Sequence, residues 1–150
     1  MRRVIFILSS VILFTACGGN SKQKEAEDLL TQANALFEQK KYDEARACID
    51  SLRSAYPNAI DARKKALTLY QEIELKRAQE ELALTDSLLQ QVQHEYDNLQ
   101  AKVEKDKAEL RATPEELTLL TKTRIKRDSL RTQCETLGAK IRYIRKKQEE

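Results

Sequence analysis

The 150-residue chain has no tryptophan, one histidine, two prolines, three glycines and three cysteines, and only 5% of it is aromatic. So little Gly and Pro leaves scant material for the turns of a many-stranded sandwich or barrel. One histidine, His94, and few thiols exclude a His-rich metal centre, and a Ser-His-Asp triad would have to be built on that single ring. Gly18 and Gly19 are adjacent and Gly138 is remote, so no phosphate-cradling loop can form. The paired carboxylates Glu115 and Glu116 are better explained by a helix dipole than by acid-base work. No catalytic residue, metal ligand or cofactor is therefore expected.

What is present is charge, at 34%, and an abundance of Ala, Leu, Glu, Lys and Gln. That mixture favours long helices, and the length suits one domain. The expected class is all-α.

The longest apolar run, Val4 to Phe14, has only Ser9 and Ser10 as polar interruptions and follows the basic Met1-Arg2-Arg3. Such a run is too short to span a bilayer as a helix, which needs about 20 apolar residues, but suits the centre of a secretory signal. It ends in Phe14-Thr15-Ala16-Cys17, which resembles the lipobox of bacterial lipoproteins, with Phe14 in place of the usual aliphatic residue. The resemblance implies a signal peptide over residues 1–16, cleavage before Cys17, and attachment of lipid to its thiol. The new amino terminus would be acylated too, with palmitate an expected chain, giving more than the single chain that binds only marginally. Gly18 is unlike the Asp that retains many lipoproteins in the inner membrane, which points to the outer membrane, facing the periplasm. Loss of Arg2 and Arg3 with the signal takes the formal charge from +3 to +1, a balance that argues against a nucleic-acid partner. Residues 17–24 then read as the acylated Cys and a short flexible tether.

From Ala26 the apolar residues recur at helical spacing through Phe37, and a second stripe runs from Tyr42 through Ala45 and Ile49 to Leu52 before Tyr56-Pro57. Leu29, Ala33, Leu36, Tyr42, Ala45, Ile49, Leu52 and Pro57 resemble the signature positions of a tetratricopeptide repeat, placed here over residues 25–58. The stretch Phe37 to Arg46, with Leu52 and Tyr56-Pro57, is similar to repeats in envelope lipoproteins of the outer-membrane assembly type. The resemblance implies protein binding, with Leu29, Ala33, Phe37 and Tyr42 lining a partner groove unless they are wholly core. A lone repeat cannot bury its own face, so a following helix must cap it through Ile60, Ala66, Leu67, Tyr70 and Ile73.

No Gly or Pro lies between Asn58 and Thr113, room for one helix of about 80 Å. A three-four pattern marks a coiled-coil seam: Leu75, Ala78, Leu82, Thr85, Leu89, Val92, Tyr96, Leu99, Val103, Asp106 and Leu110. Thr113-Pro114-Glu115-Glu116 is a capping box that starts a return helix, whose seam includes Leu117, Leu120, Leu130, Cys134, Leu137, Ile141 and Ile144. A turn near Thr113 pairs Tyr96 with Leu130, Val92 with Cys134, Leu89 with Leu137 and Leu82 with Ile144. Residues 59–150 are thus expected to form a long antiparallel hairpin. Two hairpins could also pair between chains as a homo-oligomer. Gly138 should mark a kink or a close approach, and Cys48 and Cys134 should lie too far apart for a disulfide.

Residues 71–110 hold ten acids and five bases, whereas 122–147 hold ten bases and two acids. The arms should attract and close the hairpin. Otherwise the basic surface of Lys122, Arg124, Lys126, Arg127, Arg131, Arg142, Arg145, Lys146 and Lys147 would engage an anionic lipid or envelope polymer.

Overall fold

The computed structural model describes residues 18–150, with side chains from Ser21 onward. The expected signal peptide and Cys17 lie outside the described residues. Four helices follow in order: α1 (Gly18–Glu38), α2 (Tyr42–Ala55), α3 (Ile60–Ala108) and α4 (Pro114–Glu149). Among the described residues there is no strand, and the chain is all-α.

The head consists of α1, α2 and the first turns of α3. Small residues let three helices approach closely. Ala26, Ala33, Ala45 and Ala66 are completely buried, with Ile49, Leu52 and Ile73 filling the space between them. Of the residues expected to cap the first hairpin, Ala66 and Ile73 are buried and Tyr70 packs at the edge. Ile60 and Leu67 instead point to solvent, and Ala62 and Leu69 take the core positions. The buried stripe of α3 runs at 62, 66, 69 and 73, a helical face rotated away from Ile60 and Leu67.

The expected tether is also corrected, because residues 18–24 are the first turns of α1. Ser21 bonds Glu25 and Gln23 bonds Glu27, both one turn along, which supports helix up to the described start.

Two reversals shape the chain, and both place a non-glycine residue in the left-handed region. Lys40 has φ 59° and Leu110 has φ 56°. At each, the amides close a Schellman pattern: Lys40 N–H donates to Phe37 and Lys41 N–H to Leu36, while Leu110 N–H donates to Lys107 and Arg111 N–H to Asp106. The second reversal begins earlier than the proline suggests. Thr113 forms the expected capping box with Glu116, and Pro114 opens α4. But α3 has already ended at Ala108.

The arms stay within about a turn of the expected register: Arg127 lies over Tyr96, Arg131 reaches Gln93, and Leu137 and Ile141 cluster with Ala78, Leu75 and Leu82. The seam faces themselves are as expected along α3, where every position from Leu75 to Asp106 is buried or half-buried. Leu110 is the exception, 95% exposed at the tip. On α4 two polar residues occupy seam positions: Thr123 is buried, and Arg127 lays its guanidinium over the Tyr96 ring at 4.1 Å. Leu117, by contrast, is exposed. Gly138 is not required by a close approach of α3. It lies inside the continuous α4, and a Cβ there would meet only Arg142 Nη1, at 3.5 Å.

The stalk is therefore a two-helix arm, α4 packing on α3 alone. The 49 residues of α3 make a rod of about 73 Å shared by head and stalk.

Candidate functional site

Of the residues expected to line a groove, Ala33 is completely buried, and Leu29, Phe37 and Tyr42 are half-buried, packed at the edge of the head core. The Phe37 and Tyr42 rings are tilted together at 6.0 Å, and the Tyr42 hydroxyl donates to Glu80 of α3 at 3.0 Å. Burial first, and that bond second, hold the hydroxyl above its usual pKa. The chain's own third helix thus covers the face that stacked repeats would share.

The most organised polar cluster lies where head meets stalk. Glu74 on α3 accepts from Lys140 Nζ of α4 at 2.8 Å, and Arg46 Nη1 of α2 stands 3.3 Å from its other oxygen. That oxygen, Oε1, is buried without a hydrogen bond among the described residues, so Arg46 acts on it through charge. Arg46 also lies 5.3 Å from the Tyr70 ring centre, and Asp43 pairs with Arg77 at 2.7 Å. Burial pushes the Glu74 carboxyl up, but Lys140, Arg46 and Arg77 outweigh it and hold the group below its ordinary value. One carboxylate therefore links three helices. Arg46, Glu74 and Lys140 are far apart in the chain, and no local pattern singles them out.

The basic residues of α4 mostly do not close the hairpin. Among the described residues, Lys140–Glu74 is the one recorded ion pair between an α4 base and an α3 acid, while Lys102–Glu116 joins the arms in the opposite sense. Arg127 is held by Tyr96 and Asp128, Arg131 approaches Gln93, and Lys147 pairs with Glu150. Lys122, Arg124, Lys126, Arg142, Arg145 and Lys146 are exposed. No ion pair of theirs is recorded among the described residues. Local alternatives and water compete well with exposed cross-helix pairs, each worth about 0–1 kcal/mol.

Elsewhere His94 is exposed and meets Asn98 one turn along. Cys48 and Cys134 are free thiols, half-buried in the head and the stalk seam respectively. Among the described residues no group of three His, Cys, Asp or Glu is placed to hold a metal, and no helix is long and apolar enough to cross a membrane. Apolar side chains are exposed on the stalk at Leu84, Leu88 and Ile125, and around the tip at Leu110, Leu117 and Leu119. No family model matches this chain, and no curated protein or solved structure does either.

Proposed function

We propose that this chain is a membrane-anchored, non-catalytic lipoprotein of the bacterial envelope, a scaffold or assembly factor holding a protein partner at the end of a stiff arm. The lipobox-like Phe14–Cys17 and the repeat-like pattern of residues 25–58 support the anchor and the binding role. The observation that carries the reading is the single rod α3, which joins the head to a tip ending in the exposed Leu110. Packing of Leu29, Ala33, Phe37 and Tyr42 against the head core supports placing the partner surface at the tip instead. The outer membrane, facing the periplasm, is the proposed site.

The test is crosslinking in cells from a photoreactive residue at Leu110 and, separately, at Phe37, with high-salt washes and a Cys17→Ser control. The expected result is a defined protein adduct from Leu110 that survives salt, and none from Phe37. An adduct from Phe37 alone would return the partner to the head.

A second reading is favoured by the exposed bases of α4. In it the protein is a structural tether whose basic arm engages an anionic lipid or envelope polymer. Recovery of such a polymer, lost with added salt, would support it.

A further inference from the structure

One flank of the head combines bases and exposed aliphatic side chains at the end nearest the start of α1. Arg53 of α2 and Ile60, Arg63, Lys64 and Leu67 of α3 line a shallow trough with no acid in its lining. Ile60 is 60% exposed and Leu67 52%. The two are seven residues apart, two turns along one helix face, separated by Arg63 and Lys64. Nothing in the head covers them, and they are not needed for its core.

The position of the trough selects its partner. The Tyr56 hydroxyl donates to Glu25 at 2.9 Å, which sets the α2–α3 connection level with the second turn of α1. Gly18 lies only about 10 Å of helix below Glu25. With residues 18–24 helical, the Ile60 end of the trough stands about 10 Å beyond Gly18, roughly a Debye length, and Leu67 about 10 Å further along α3. Lys122, Arg124 and Lys126 of α4 precede Lys140 in a helix that returns from the tip, so they lie outward along the stalk from the Glu74–Lys140 contact.

We propose that this flank, Arg53, Ile60, Arg63, Lys64 and Leu67, is a second membrane contact that docks on anionic phospholipid headgroups beside the anchor. This rests on the lipoprotein reading, because Cys17 supplies the nearby bilayer. The bases meet the headgroup charge, and the two aliphatic side chains enter the boundary below it, the combination used by surface-lying helices. Contact at two points would fix the tilt of the head and so the direction of the 73 Å rod.

The protein purified from membranes is placed in vesicles of neutral phosphatidylcholine, or of phosphatidylcholine with phosphatidylglycerol. Lysines are labelled with a water-soluble amine reagent, and Lys64 is compared with Lys122 on the same molecule. Lys64 should react roughly threefold more slowly or less on the anionic vesicles, with Lys122 unchanged, and high salt should remove the difference. Arg53→Glu with Leu67→Ser, both exposed positions, should abolish the effect while helicity is kept.

Equal reactivity of Lys64 on both lipids overturns the proposal. So does protection that persists in the double variant, or that appears equally at Lys122. Lys64 free on both lipids but protected in intact cells would assign the flank to a protein instead. The anchor is judged separately, by the mass of the amino-terminal peptide. If that peptide carries no acyl group the lipoprotein reading fails, and Lys64 protection on added anionic vesicles still decides the flank.

Discussion

Head and stalk bury their apolar residues to different depths. In the head, Ile49, Leu52 and Ile73 are completely enclosed by three helices. In the stalk, Val92 and Val103 of α3 are almost as deep, but Leu130, Leu137, Ile141 and Ile144 of α4, which packs on α3 alone, each keep 8–9% of their surface in water. A head core side chain therefore loses more contacts on truncation than an α4 seam side chain of the same size. The stalk depends on the shared rod α3 and on the Glu74 junction for what its own seam does not supply.

The strongest way to break that contrast is a matched pair of truncations. Ile49→Ala should destabilise by about 3–4 kcal/mol and Leu137→Ala by about 2 kcal/mol, measured by urea unfolding followed by helicity. Equal losses would show that two helices protect a seam as well as three. Separate unfolding of the stalk, seen as a second transition, would show that α3 does not couple the halves.

The junction is next in size. Glu74→Ala leaves Arg46 and Lys140 without their common partner and should cost about 1–2 kcal/mol, less than a fully buried pair because the side chain is 16% exposed. The depressed pKa gives its pH dependence. Glu74 contributes fully above its ordinary value near 4.5, and the contribution is lost as pH falls through the lower folded value. Glu25 and Glu116, also held below their ordinary values, act in the same direction. The comparison of interest is therefore wild type against Glu74→Gln. The variant should show a shallower loss of stability below about pH 4.5, and an identical slope would remove Glu74 from the account.

Two substitutions should strengthen the stalk alone. Leu110→Gly relieves a left-handed residue whose side chain is exposed, and a gain of about 1 kcal/mol is expected. Gly138→Ala places a methyl in ordinary contact with Arg142 Nη1 inside α4 and should add about 0.5–1 kcal/mol. If either raises the unfolding midpoint of the head as well, head and stalk unfold as one unit. If Leu110→Gly also abolishes the tip crosslink, the exposed leucine contributes to binding at a cost in stability.

The sequence by itself determined what depends on neighbours within a turn or two. The seam of α3 from Leu75 to Asp106, the Thr113–Glu116 capping box and the tight head packing around Ala33 and Ala45 are all local or periodic features. Thr123 does not read as a seam residue, and Arg127 reads only as part of a basic surface, because their side chains are polar, although both continue the same heptad. Tertiary structure decided the rest. The place of the reversal at Leu110 was one such feature, since no glycine announces a left-handed residue there. The fate of the Leu29–Tyr42 face likewise depended on where α3 lay, since an apolar helix face looks the same in sequence whether it awaits a partner or already has one. Glu74 became a junction only because folding brought Arg46 and Lys140 to it from distant parts of the chain, and charges that far apart in sequence carry no periodicity to read.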